Sequence, residues 1–347
     1  MQLGVTFAVM GEESEFVELV ERHRRELRVH CYRMVGSYDE AEDLVQETLL
    51  RAWKGRDAFA GRSSLRAWLY RIATNACLDT LRGRARRVLP QDLAPAAHPH
   101  TDLPPRADIP WLQPFPDAAA PAQTEPDSVA VTRETMELTF LAAIQHLPPR
   151  QRAALILRDV LGWSAKEAAS ALDASVASTN SALQRARATL REHLPEHRLE
   201  WTRPLGPTEE ELAVVRRYVE AVERADLDAL ADLLAEDIRA IMPPWPMWFA
   251  GRDAVLSTLR ESWDPEGPYY VGRLRMVPTA ANGMPAVGAY VCGPGDDTYR
   301  AFAIGVIRVA GERIAELSAF HDLGLFHAFE LPMTLPVADV STGDLYT

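Results

Sequence analysis

The sequence predicts a multidomain protein: two all-α domains, the second a helix-turn-helix, followed by a carboxy-terminal α+β domain. Three observations predict it. Apolar residues recur at helical spacing over 16–82 and again over 138–193. Between these stretches the period dissolves, and ten prolines fall between positions 90 and 126. After Pro204 two helical segments give way to a series of strand-like segments parted by turns, the order of an α+β domain.

In the first domain, set at 12–88, Phe16, Leu19, Val20, His23, Leu27, Cys31 and Met34 share a helical face, and Gly36 ends the run. Ala41, Leu44, Val45, Thr48, Leu49 and Ala52 define a second helix. Leu65, Trp68, Leu69, Ile72, Ala76 and Leu81 define a third, with Ser63 or Ser64 as N-cap. Residues 89–133 read as a Pro-rich linker, extended or polyproline-like, with a reach on the order of 100 Å at ~3.3–3.6 Å per residue. Trp111 and Phe115 are unusual in such a segment and are candidate anchors to a surface.

The second domain, 134–196, opens with Leu138, Leu141, Ile144 and Leu147 before Pro148-Pro149. A helix over 150–160 ends at Gly162. A short helix (164–172), a turn (173–175) and a helix to about 193 then read as helix-turn-helix. The third domain, 205–331, starts with the capping box Thr208-x-x-Glu211 and a helix carrying Leu212, Val215, Val219 and Val222. A second helix holds Leu227, Leu230 and Leu234. A strand at 238–242 and a helix at 253–263 follow, then strands at 269–278, 286–292, 299–309 and 313–320. Turns fall at Asn282-Gly283, Gly293-Pro294-Gly295 and Gly311. Residues 332–347 form a tail.

The 347 residues are 47% hydrophobic and 25% charged, as in soluble globular proteins. A net charge of −12 excludes a protein that coats DNA unaided, because such binding rests on a broad basic surface. Arg82, Arg84, Arg86 and Arg87 make a local basic patch, which fits DNA contact assisted by a partner. Cys31, Cys77 and Cys292 are widely spaced, without a C-x-x-C pair, so a disulfide framework or zinc site is not expected. Met1–Gly11 lacks a basic leader region, and no apolar run reaches the ~18 residues of a membrane helix. A soluble cytoplasmic protein, off the membrane, is expected. No cofactor or metal is expected: His98 and His100 are too few for an ion, and Gly293-Pro294-Gly295-Asp296 is a turn with no helix behind it. No Ser/His/Asp or Cys/His arrangement points to a nucleophile, so the chain is expected not to be an enzyme.

Two blocks carry the functional signal. In the first, Asp43, Gln46 and Glu47, with Asp39 and Glu40 a turn earlier, form a polar stripe opposite the Leu44/Leu49 face. In the second, the small-residue loop Phe59-Ala60-Gly61-Arg62-Ser63-Ser64 leads into a helix bearing Arg66, Arg71, Asn75, Asp79 and Arg82, with Trp68 and Tyr70 interleaved. Arg and Asn bond phosphates or base edges, and a Gly/Ser loop can wrap an extruded base.

Together the blocks resemble region 2 of bacterial RNA polymerase sigma factors of the extracytoplasmic-function type, across roughly Glu13–Arg87. The resemblance implies that Asp43, Gln46 and Glu47 grip the clamp of core RNA polymerase. It implies that Phe59, Gly61, Ser63, Ser64, Arg66, Arg71, Asn75 and Arg82 read and melt the −10 promoter element. Leu147-Pro148-Pro149-Arg150-Gln151-Arg152, Gly162-Trp163-Ser164-x-x-Glu167-x-Ala169 and Asn180-Ser181-Ala182-Leu183-Gln184-Arg185-Ala186-Arg187 are similar to the family's region 4, which works beside the polymerase flap. Its second helix enters the major groove at the −35 element, with Ser178, Asn180, Ser181 and Gln184 as base readers and Arg185 and Arg187 on phosphate. Positions 180 and 182, often basic in the family, are Asn and Ala here.

The third domain resembles the SnoaL-like, nuclear-transport-factor-like cone, a pocket-forming fold. The resemblance makes Trp245, Trp248, Tyr269, Tyr290, Phe302, His321 and Asp322 candidate pocket residues and allows a small-molecule ligand. His321-Asp322 is the candidate acid–base pair. A sigma factor modulated by its carboxy-terminal domain is the expected function. The alternatives are a helix-turn-helix regulator with a ligand-binding domain and a SnoaL-like enzyme fused to DNA-binding domains.

Overall fold

The computed structural model describes residues 16–59, 64–99, 101, 103–121, 136–194 and 207–337. The chain divides into two units: Met1–Arg86 with Ala119–Trp201, and Arg87–Ala118 with Thr202–Thr347.

The first unit is helical. Helix α1 (Arg24–Val35) ends at Gly36, whose φ of 72° is the left-handed conformation that glycine adopts at least cost. Ser37 then caps α2 (Tyr38–Gly55) by accepting from the Glu40 amide at 3.3 Å, and Asp39 and Glu40 sit in the first turn, where the helix dipole favours acids. Ser64 caps α3 (Leu65–Leu81) through the Ala67 amide at 3.2 Å. The three helices bury Leu27, Tyr32, Met34, Val45, Leu69 and Ala73, and His30 bonds Thr74 Oγ1 at 2.9 Å across α1 and α3. Burial holds that imidazole neutral, with its pKa taken down to about 3.

Helix α4 (Leu138–Gln145) and α5 (Pro149–Leu155) follow, and α5 runs on as a π turn over Ile156–Val160 rather than as the plain helix the sequence predicts. Ser164 and Glu167 form a reciprocal capping box at the start of α6 (Ala165–Ala171). Ser175 caps α7 (Val176–His193). The α6–α7 pair is the expected helix-turn-helix. Within this unit α6 packs on α3, and α5 packs on α1 and α3. Buried Arg152 donates to the Met34 carbonyl, to Gln145 Oε1 at 2.7 Å and to the Gln145 and Leu147 carbonyls at 3.0 and 3.2 Å. The Trp163 ring meets Tyr70 at 5.7 Å.

The second unit opens with α8 (Glu209–Glu223), capped by the predicted Thr208/Glu211 box, and α9 (Leu227–Leu233). Leu234, expected in that helix, instead begins β1 (Leu234–Ile241). Then come β2 (Trp248–Ala250), α10 (Arg252–Ser262), β3 (Arg273–Ala281), β4 (Met284–Cys292), β5 (Thr298–Ala310), β6 (Arg313–Phe320), α11 (Gly324–Ala328) and β7 (Thr334–Pro336). The sheet order is β2-β1-β6-β5-β4-β3, with β7 on β5; β1 and β6 run parallel and the other pairs antiparallel. Helices α8, α9 and α10 cover one face, burying Val219, Leu230, Leu234, Ile238, Val255 and Ile314. Tyr269, expected at the start of a strand, precedes β3.

The linker requires a correction. Residues 87–118 belong to the second unit and are not a free tether. The Phe115 amide donates to Asn282 Oδ1 at 2.9 Å, the Asn282 amide returns a bond to the Phe115 carbonyl at 3.0 Å, and Gly283 N–H meets Asp117 Oδ1 at 2.9 Å. Upstream, the Ala97 amide donates to the Trp248 carbonyl at 2.8 Å, the Arg106 amide to the Pro244 carbonyl at 2.9 Å, and Trp248 Nε1 to the Ala94 carbonyl at 2.9 Å. Leu112 and Phe115 are fully buried. The cause is that proline removes donors without preventing burial. The amides of Ala97, Arg106 and Phe115 pair with the cone, while others, such as those of Asp92, Thr101 and Leu112, pair within the segment.

Candidate functional site

On α2, Asp43 and Gln46 are exposed. Glu47 is half-buried and tied to Arg51 at 2.7 Å. Glu40 and Glu42 point elsewhere: Glu40 pairs with Arg84 at 3.0 Å, and Glu42 with Arg24 at 2.8 Å and with Arg28. Leu50, 47% exposed, continues the Asp43/Gln46 face at i+3 and i+7 spacing. The sequence reading missed it, although its place off the Leu44/Leu49 face was the signal. The face is therefore acidic with an apolar end.

On α3, Arg71 is exposed and Asn75 half-buried one turn on, a pair on one face. Phe59 packs against Trp68 with ring centroids 5.0 Å apart and the planes tilted by 40°, which holds the start of the loop to the helix. Gly61 and Ser63 lie outside the described residues. Ser64 acts as N-cap, so its hydroxyl is committed to the helix start. Arg66 is engaged within the domain, bonding Glu26 at 2.7 Å and lying 5.0 Å from the Tyr70 ring. Tyr70 also donates to Glu26, at 3.1 Å. Burial pushes the Glu26 carboxyl up, but bonds from His23 and Arg66 outweigh it and keep it below its ordinary value. Arg82 is exposed beside Asp79 at 3.3 Å.

On α7, Ser178, Asn180, Ser181, Gln184 and Arg185 are all exposed, while Thr179, Leu183 and Ala186 face inward. Arg187 is different: two bonds of 2.8 and 2.7 Å tie it to Asp159 behind the recognition helix. That bidentate pair orients α7 against the end of α5.

In the second unit a cavity of about 380 Å³ opens between the sheet and its helices. Trp245, Tyr269, Phe302 and His321 line it, as expected of them. Three other candidates do not. Tyr290 follows the cavity-lining Ala289 on β4 and points to the other face, against Phe326 at 5.3 Å, with its hydroxyl on the Pro332 carbonyl at 2.9 Å. Trp248 holds the linker. Asp322 accepts from Gln113 at 3.1 Å and from the Gly324 amide at 3.0 Å, so His321 and Asp322 form no acid–base pair. Met242, Met247, Trp263 and Tyr218 also line it, together with Thr101 from the linker. Sequence reasoning missed Thr101 because no local pattern ties a linker residue to a cavity whose other lining residues run from Tyr218 to His321.

Comparison with known proteins decides the family. The ECF RNA polymerase sigma factor SigG of Mycobacterium tuberculosis is 43% identical over 323 residues, 92% of this chain and 85% of that protein. The chain belongs to the ECF sigma factors. The domain families agree: sigma-70 region 2 matches residues 19–87, sigma-70 region 4 residues 137–190 and the SnoaL-like domain residues 215–317. SigM of the same species is 32% identical over 52% of this chain and 78% of its own length. The crystal structure of the M. tuberculosis ECF sigma factor SigJ shares the fold, with a TM-score of 0.56, 24% identity and coverage of 92% of this chain and 99% of that one. As a sigma factor the protein binds core RNA polymerase and directs promoter-specific initiation. This family acts by binding and not by catalysis. Among the described residues no helix is long and apolar enough to cross a membrane.

Proposed function

We propose that the carboxy-terminal domain modulates this sigma factor by holding the chain between regions 2 and 4. The observation that carries the reading is the docking of the linker on the cone through the Ala97, Arg106 and Phe115 backbone bonds. Two DNA elements are read by two helices joined by this segment. A docked linker shortens the chain free to extend between them, and a released one restores its reach. Asp43, Gln46 and Leu50 supply the surface for core polymerase, Arg71 and Asn75 the −10 contacts, and Asn180, Ser181, Gln184 and Arg185 the −35 contacts. The domain serves as a docking and ligand-sensing module without turnover, in keeping with the separate engagements of His321 and Asp322.

The test is in-vitro transcription with core RNA polymerase, comparing the full chain with Phe115→Asp, which puts a charge where the linker is buried. Losing that aromatic contact costs about 3–5 kcal/mol of docking, and promoter output is expected to change by several-fold. Equal output from the two proteins, with the variant's linker opened to protease, would overturn the modulating role.

A further inference from the structure

The cavity's chemistry narrows its ligand. Its volume, about 380 Å³, falls within the ~300–1,000 Å³ of small-molecule sites. The wall is aromatic and thioether-rich, with Trp245, Phe249, Trp263 and Phe302 beside Met242 and Met247. Such surfaces favour flat apolar molecules, and the methionines adapt to their outline. Among the described lining residues Glu261 carries the one formal charge at neutral pH. Burial takes the His321 pKa down to about 4 and pushes the Tyr218 phenol up to about 12, so both are neutral there. The Thr258 and Ser262 hydroxyls donate at 3.0 Å to the carbonyls of Ala254 and Thr258 in their own helix. No cationic side chain among these described lining residues compensates a buried carboxylate or phosphate.

The wall is also shared. Thr101 comes from the docked linker, its hydroxyl donating to the His98 carbonyl at 2.7 Å. A few residues earlier, Ala97 packs against the hydrophobic core and is bonded to Trp248, between the cavity residues Met247 and Phe249. A molecule in the cavity therefore touches cone and linker at once. Any free energy it gains from the linker wall must reappear as tighter linker docking.

We propose that this cavity binds a neutral, apolar, ring-containing small molecule, and that occupancy strengthens the docking of Ala97, Thr101 and Arg106 on the cone. The coupling needs only the shared wall; its consequence for transcription rests on the function proposed above. The experiment uses the full-length protein with Nile red as the neutral probe and 1-anilinonaphthalene-8-sulfonate as an anionic counterpart. Two variants fill the cavity from different elements, Ala289→Phe on β4 and Thr258→Phe on α10, and a variant counts only if it keeps the wild-type melting profile. Nile red is expected to saturate the wild type and to bind each filled variant about tenfold more weakly or worse. The anionic dye is expected to bind the wild type more weakly than Nile red by a similar factor. Unreduced Nile red binding by a folded variant, or tighter binding of the anion, overturns the assignment.

Trypsin cleavage after Arg106 reads the coupling. Saturating Nile red is expected to slow it about threefold or more in the wild type and to leave Ala289→Phe or Thr258→Phe unaffected. An unchanged wild-type rate overturns the coupling. Neither readout involves polymerase, so failure here and failure of the transcription test are separable.

Discussion

His321 lies between the ring edges of Trp245 and Phe302, with centroids at 4.9 and 4.6 Å, and burial takes its pKa down to about 4. In the unfolded chain it returns toward its ordinary ~6.5. Between those values the unfolded chain binds more protons, so the stability of the second unit is fully present above the unfolded pKa and lost as pH falls toward the folded one. The slope is on the order of 1 kcal/mol per pH unit. Urea titrations at several pH values should find this slope flattened in His321→Gln; an unaltered slope would show that another group carries it. On α7 the exposed and engaged side chains separate in the same way. Gln184→Ala should relax preference at one −35 base pair, at a cost of about 1–3 kcal/mol. Arg185→Ala should weaken binding evenly across sequences and lower the salt slope by about 1. Holoenzyme binding to promoter variants across a salt series distinguishes them, and a base-specific effect of Arg185→Ala would reverse the assignment. Arg187, held by Asp159, is the residue whose local sequence concealed its partner.

At the scale of elements, the caps were legible. Ser64, Thr208 and Glu211 sit where short-range hydrogen-bond chemistry places them, because a cap depends on three or four neighbouring residues. The boundary between α9 and β1 was not. Leu234 fits a helical apolar stripe equally well, and it joins β1 because β6 offers Ile314 as a pairing partner eighty positions away. Helix α2 shows both outcomes at once: its acidic stripe was readable, but which acids remain available was decided by Arg24, Arg28 and Arg84 reaching Glu42 and Glu40. Asp43→Lys together with Leu50→Asp should reduce core-polymerase binding by at least about tenfold, roughly 1.4 kcal/mol, with the melting curve unchanged. Co-purification with core polymerase at wild-type yield would remove this face from the interface.

At the scale of the whole molecule, the first unit packs region 4 on region 2 through the Arg152 bond to the Met34 carbonyl and the Tyr70–Trp163 contact. On the function proposed above, α3 and α7 read separate DNA elements, so holoenzyme formation is expected to open that packing. Amide exchange in α6 and around Trp163 should accelerate when core polymerase binds, since opening exposes those hydrogen bonds. Unchanged protection in the holoenzyme would mean that regions 2 and 4 stay packed. The acidic chain and its local arginines are consistent with this arrangement, in which polymerase, not net charge, brings the reading helices to DNA.

By itself the sequence determined the helical domains, the caps, the hairpin turns and the family. Each depends on periodicity or on groups within a few positions of one another. Only the tertiary structure decided the fate of the proline-rich segment. Its Ala97, Arg106 and Phe115 amides find partners on the downstream domain, the last of them Asn282, 167 positions away. The same long-range packing put Thr101 in the cavity wall, turned Tyr290 away from it and left His321 without Asp322. Burial and pairing across such distances leave no local pattern, because the free energy that selects them arises only when the chain has folded.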